Sequence, residues 1–124
     1  MTDTDTDSVW DHYYSMGRQA IQSGDYPGAE TLWFAALQMV EFNGENDPRL
    51  FITLDNLAEA CYCQNKIPQA KNLYWENVSI KEKYLGPDHI DLANNLKRLA
   101  AIYYRQDRFA DAAQLGKRIL GIYE

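Results

Sequence analysis

Leu54, Leu57, Ala58, Cys61 and Tyr62 fall at i, i+3, i+4, i+7 and i+8, a spacing that places five apolar side chains on one face of a helix. Asp47-Pro48 opens this helix, since aspartate is a good N-cap and proline suits the first helical position, where a missing N–H costs nothing. The helix is expected to run to about Gln64, where Asn65-Lys66 supplies a turn. Pro68 then begins a second apolar stripe of Ala70, Leu73, Tyr74, Asn77 and Val78, which continues to about Tyr84 before Gly86-Pro87-Asp88 ends it. The pattern therefore predicts two antiparallel helices joined by a short turn.

That unit recurs. Ser23-Gly24-Asp25-Tyr26-Pro27-Gly28-Ala29 returns as Gln64-Asn65-Lys66-Ile67-Pro68-Gln69-Ala70 and as Gln106-Asp107-Arg108-Phe109-Ala110-Asp111-Ala112, at intervals of 41 and 42 residues. The first pair of helices is expected over Ser8–Gln22 and Pro27–Phe42, and the third over Asp88–Arg105 and Phe109–Tyr123. Three repeats follow, at about 8–46, 47–87 and 88–124, with residues 1–7 read as a disordered acidic tail and Asp7 or Ser8 as the first cap. Aligned positions agree in size: Gly17, Ala58 and Ala100; Ala29, Ala70 and Ala112; then the bulkier Tyr26, Ile67 and Phe109, and Leu32, Leu73 and Leu115. Small residues let the two helices of a unit approach, and a larger side chain there would cost about 1–3 kcal/mol. Trp33, Tyr74, Tyr103 and Phe109 are expected in the core, whereas Trp10, Trp75 and Tyr123 are candidates for an interface. The copies also depart from one another: Gly116 of the third stands where Trp33 and Tyr74 sit, and Asn77 of the second and Ile119 of the third replace the small Ala36. Neither helix of such a unit buries its face alone, so neighbouring units must complete the core.

Composition narrows the function classes. A hydrophobic fraction of 46% is ample for a core, and no run approaches the roughly 20 apolar residues of a membrane helix. The net charge of −6 argues against general nucleic-acid binding. Its distribution is uneven: residues 1–50 carry 2 Lys/Arg against 9 Asp/Glu, while residues 91–124 carry 6 against 4. Cys61 and Cys63 diverge on one helix and are expected as free thiols, which fits a reducing, cytoplasmic setting. His12 and His89 lack the spaced partners of a metal site, and the acidic first helical turn accounts for Asp7, Asp11 and His12. No phosphate loop, dinucleotide turn or nucleophile elbow is present, so neither enzyme activity nor a cofactor is expected.

The small residue in the first helix of each unit, the turn, the alanine of the second helix and the aromatic four residues on (Trp33, Tyr74) together resemble the tetratricopeptide repeat. The longer unit, with Leu85-Gly86-Pro87-Asp88-His89 joining units and Leu92-Ala93-Asn94-Asn95-Leu96 after it, is similar to the kinesin light chain type; Asn43-Gly44-Glu45-Asn46-Asp47-Pro48 is a degenerate copy of that joint. The resemblance covers nearly the whole chain from Ser8. It implies an all-α, right-handed α-solenoid of three antiparallel helix pairs, six helices in all, whose first helices line a concave groove for a partner segment.

By position, the groove residues implied are Tyr14, Arg18 and Gln22; Asp55, Asn56, Glu59, Tyr62 and Cys63; and Asn94, Lys97, Arg98, Ala101, Tyr104 and Arg105. Asparagine can hydrogen-bond an extended backbone twice, the cations can take carboxylates, and tyrosine offers flat apolar area with a polar tip. Some tetratricopeptide domains grip a terminal carboxylate with Lys and Asn, then Asn, then Lys and Arg. Asn56 and Arg98 match that set, but Tyr14, Arg18 and Asn94 replace its other members, so a chaperone-tail clamp is not expected. Any amphipathic helix must also place polar residues somewhere, so polarity alone does not make a groove. The expectation is a protein-interaction module for a peptide or segment, with no nucleic acid or membrane as partner. The alternatives are a homo-oligomer, such as a homodimer through the C-terminal helices, whose end at Ile119, Leu120, Ile122 and Tyr123 would be apolar and uncapped, or an interaction domain of a larger signalling protein.

Overall fold

The three turns that repeat in sequence also repeat in backbone geometry. In the computed structural model, which describes residues 3–42 and 47–124 and the side chains of 9–41 and 47–124, Gly24, Asn65 and Asp107 all take positive φ, at 79°, 62° and 60°. Each lets the chain close a helix in the same way. The amide of the next residue donates to a carbonyl five residues back, Asp25 to Ala20 at 2.8 Å, Lys66 to Cys61 at 2.9 Å and Arg108 to Tyr103 at 2.9 Å. Gly24, Asn65 and Asp107 themselves donate to the carbonyls of Ile21, Tyr62 and Tyr104 at 3.1, 3.0 and 3.1 Å. This double bond pattern satisfies carbonyls that a helix end would leave orphaned, and it needs a residue that tolerates the left-handed region. Glycine, asparagine and aspartate are the residues that do so most readily.

Six helices result: α1 (Asp3–Gln22), α2 (Tyr26–Phe42), α3 (Arg49–Cys63), α4 (Ile67–Leu85), α5 (Leu92–Arg105) and α6 (Phe109–Tyr123). They form two units, Met1–Ala70 and Lys71–Glu124, with the boundary in the first turn of α4. Helix α1 begins at Asp3, ahead of the expected start at Ser8, so Asp7 and Ser8 lie within it and do not cap it. Aspartates in a first turn suit the positive end of the helix dipole. Met1 and Thr2 of the expected tail, and Asn43 to Asn46 of the first joint, lie outside the described residues. Helix α5 begins at Leu92, not at Asp88, because Asp88 to Asp91 are spent on a turn. In it the Asp91 amide donates to His89 Nδ1 at 3.1 Å and the Leu92 amide to the His89 carbonyl at 3.0 Å. Helix α3 begins at Arg49 with Pro48 in the cap position, one residue later than expected, so Asp47 stands just ahead of the cap, where its carboxylate accepts from the Arg49 amide at 3.0 Å.

In the first unit the core gathers Trp10, Ala29, Trp33, Ala36, Leu37, Val40, Leu50, Leu54, Leu57, Ala58, Ala60 and Cys61. A Cβ on Gly17 would stand 2.6 Å from Cε2 of Trp33, so the glycine is what admits the indole between α1 and α2. Tyr14 packs edge-on against the same ring, at 5.3 Å and 88°. Trp10, marked from sequence as a candidate for an interface, is buried. Its Nε1–H donates to Thr53 Oγ1 at 3.1 Å, whose own hydroxyl donates to the Arg49 carbonyl at 2.7 Å.

The second unit buries Tyr74, Val78, Ile80, Leu92, Ala93, Leu96, Leu99, Ile102 and Leu115. Lys81 is buried with them and donates to Asn95 Oδ1 at 2.8 Å, linking α4 to α5. Two core expectations fail here. Phe109 is 54% exposed and meets Tyr104 edge-on at 5.1 Å. The matched Tyr26 and Ile67 are only half-buried, so this position sits at a helix start on the margin of the core. Tyr103 is half-buried: its hydroxyl accepts from Trp75 Nε1 at 3.0 Å, while Lys71 and Arg108 stand over its ring at 5.5 and 4.7 Å.

Candidate interaction site

The expected binding residues fall on three helices, α1, α3 and α5. Tyr14, Arg18 and Gln22 follow one another along α1 at four-residue intervals, and Asn56 comes from α3 in the same unit. Arg18, Ile21, Gln22 and Asn56 line one shallow, open depression of about 190 Å³. Arg18 is exposed; its guanidinium donates to the Tyr14 hydroxyl at 3.1 Å and lies 5.7 Å from the centre of that ring. The aromatic side chain thus steers the cation, and guanidinium donors remain for a ligand. Asn56 donates through Nδ2 to the Ile52 carbonyl at 2.8 Å, which fixes the amide plane. Ile21 contributes the apolar part of this surface and was not singled out from sequence, because it reads only as one more member of the apolar stripe. Asp55, Glu59 and Tyr62 are half-buried on α3 and Cys63 is exposed; each is engaged in contacts of its own.

On α5 the stripe of Asn94, Lys97, Arg98, Ala101, Tyr104 and Arg105 lies opposite the buried Leu92, Leu96 and Leu99. Asn94, Lys97, Arg98, Tyr104 and Arg105 are exposed, and Ala101 is half-buried. Lys97 reaches α6, donating to the Tyr123 hydroxyl at 2.8 Å with its ammonium 5.1 Å from the ring centre.

One ionic group escaped sequence reasoning altogether. Glu30 of α2 accepts from Lys66 Nζ and from Gln64 Nε2, both at 2.7 Å, and so ties the turn between α3 and α4 to the preceding helix pair. The bond from Lys66 holds the Glu30 carboxyl below its ordinary pKa, and the same bond raises that of Lys66. The partners lie 36 residues apart, so no local pattern announces them. Burial pushes the Cys61 thiol up, which leaves it an unreactive packing group. Among the described residues, no three His, Cys, Asp or Glu side chains gather as a metal site would require, and no helix is long and apolar enough to cross a membrane.

Family models described as tetratricopeptide repeat match residues 52–91 and 76–124, which together run without a gap over more than half of the chain. The chain belongs to the tetratricopeptide repeat family. This tetratricopeptide protein is 29% identical over 110 residues to the Protein KINESIN LIGHT CHAIN-RELATED 2 of Arabidopsis thaliana, an alignment covering 88% of this chain and 17% of the relative. Among solved structures it is similar to BtubC (BKLC) from P. vanneervenii, with a TM-score of 0.85 at 21% identity over 94% of this chain and 46% of that one. It is also similar to a Podosopora anserina putative kinesin light chain with nearly identical TPR-like repeats, with a TM-score of 0.75 at 20% identity over 90% and 53%. The chain therefore spans under a fifth of the curated relative and about half of these two structures. The fold class is all-α, the helix-hairpin repeat class to which α-solenoids belong.

Proposed function

We propose that this tetratricopeptide protein binds a partner protein by holding an extended or helical segment against the exposed faces of the first helices of its repeats. The observation that carries this reading is the depression on the first unit. It brings a steered guanidinium, a fixed asparagine amide, a glutamine and an isoleucine to one surface. Such a set suits a peptide, since asparagine and glutamine can pair with backbone amides, Arg18 can take a carboxylate and Ile21 an apolar side chain. The α5 stripe, with Asn94, Lys97, Arg98 and Arg105, offers a second, more basic contact surface. The role is non-catalytic, and the setting that fits the free thiols is the cytoplasm.

The test is affinity enrichment from the source cell with the native chain and an Arg18→Ala, Asn56→Ala double variant. The proposal expects a discrete set of bound proteins to fall away with the double variant while the thermal melt stays in place. An unchanged bound set would end the assignment of this face. Self-association through the C-terminal helices is a second reading, favoured by the exposed apolar residues of α6. The basic character of that region opposes two copies meeting there, and sedimentation over a range of concentrations decides it: a strict monomer removes the reading.

A further inference from the structure

The bonds that close on Glu30 have a counterpart one repeat later from which the carboxylate is missing. In the first unit Gln64 Nε2 and Lys66 Nζ both donate to Glu30 Oε1, each at 2.7 Å. In the register set by Ala29, Ala70 and Ala112, Gln64 matches Gln106, Lys66 matches Arg108 and Glu30 matches Lys71. An amide and a cation are kept as donors, but the acceptor has become a second cation.

The side chains at this second position all belong to the second unit. Lys71 is half-buried, with its ammonium 5.5 Å from the centre of the Tyr103 ring, and the guanidinium carbon of the exposed Arg108 lies 4.7 Å from the same centre. Trp75 fixes that ring, since its Nε1–H donates to the Tyr103 hydroxyl at 3.0 Å. One aromatic face system thus keeps close two like charges that repel each other. Arg108 has an internal carboxylate: its Nε donates to Asp111 Oδ2 at 2.8 Å, and a terminal nitrogen stands 2.8 Å from the same oxygen. That pair is about half exposed on both sides, and a guanidinium has five N–H groups, so donors remain. Asp107 of the same turn is exposed and ties neither cation. Among the described residues, Lys71 meets no carboxylate and the exposed Gln106 side chain makes no hydrogen bond.

A carboxylate is the group that fits here. It is what the matched amide and cation hold in the first unit, and it can accept from an ammonium, a guanidinium and an amide together. We propose that Lys71, Gln106 and Arg108 form a docking point for a glutamate or aspartate side chain in an acidic segment of a partner protein. The docking point shares no residue with the depression on α1 and α3. It rests on the reading that the partner is a protein, yet its probe is synthetic, so failure here leaves the enrichment experiment standing.

The probe is a capped peptide of about six glutamates, with a glutamine peptide of the same length and inorganic phosphate as controls. Nitrogen–proton correlation NMR of the full chain at low salt should show the glutamate peptide shifting, saturably, the Trp75 indole N–H and the amides of Lys71 and of Tyr103 to Arg108. Added salt should weaken the effect, and the glutamine peptide should leave these signals in place. Lys71→Glu restores the carboxylate found in the first unit, so it should weaken peptide binding by about tenfold or more and raise the thermal melt by about 1–3 °C. Arg108→Gln, at an exposed position, should weaken binding by about fivefold or more with the helical spectrum kept. Lys117→Glu makes the same change in charge at an exposed α6 residue outside these contacts and should keep the affinity within about twofold. The proposal is overturned if the glutamate peptide leaves the Trp75 and Arg108 signals unmoved, or if Lys71→Glu and Lys117→Glu weaken binding alike, since net charge alone would then be at work. Phosphate binding as tightly as the peptide would also overturn it, because the site would then take any anion. So would a dimer in sedimentation that Lys71→Glu dissociates, since the carboxylate would then come from a second copy.

Discussion

At the scale of single residues, the turn positions and Gly17 carry the most structural information per side chain. Asn65 sits at φ 62° in the second turn, where Gly24 sits in the first. Asn65→Gly should therefore leave the thermal melt unchanged or raised, while Asn65→Ala should lower stability by about 1 kcal/mol, because a Cβ without a local polar partner disfavours the left-handed region. Denaturant unfolding of the two variants side by side checks the sign. At Gly17, the Trp33 indole occupies the space a methyl would need, so Gly17→Ala should cost about 1–3 kcal/mol. Adding Trp33→Phe to Gly17→Ala should return part of that loss, a coupling a double-mutant cycle would detect. The turn residues were legible in sequence because their chemistry is local. Trp10 was not, since its partner Thr53 lies 43 residues away and nothing near Trp10 distinguishes a buried indole from an exposed one.

At the scale of elements, α2 and the turn after α3 are joined by the Glu30 bonds to Lys66 and Gln64. Glu30 has its pKa lowered in the folded state, so its contribution to stability is present above its unfolded value and is lost as the pH falls through the folded one. Lys66 has the opposite sign: its contribution is present below its unfolded value, about 10.4, and is lost only as the pH rises beyond that. The melt of the native chain should exceed that of Glu30→Gln at neutral pH, and the gap should close between about pH 5 and pH 3. Because Lys66 is substantially exposed, the gap should be small and should shrink with added salt. A pH series that keeps the gap constant down to acid would contradict the role given to this pair. The helix pairs themselves were readable from apolar spacing. Their margins were less so: the sequence does not reveal that Asp88 to Asp91 form a turn, because aspartate and proline suit a helix start and a turn equally. Phe109 misled for a similar reason, since size and apolarity say that a residue can be buried and only the neighbouring helices say whether it is.

At the scale of the whole molecule, the helix-hairpin repeat class was evident in sequence, and the family match and the similarity to solved repeat structures agree with that class. The candidate site was only partly readable. Arg18, Gln22 and Asn56 were placed by position in the repeat and do meet at one surface, whereas the part of Ile21 in that surface depends on how α1 and α3 lie together; the hold of Tyr14 on Arg18 is a contact between residues four apart on α1. The central claim is that the first helices of the repeats, not the second, receive the partner. Hydrogen–deuterium exchange of the full chain with a protein recovered by enrichment tests it most directly. Added partner should slow exchange in the segments around Arg18 to Gln22 of α1 and Ile52 to Glu59 of α3, leaving the outer residues of α2, such as Phe34 and Gln38, as they were. Protection confined to α2, with α1 and α3 unchanged, would contradict the account.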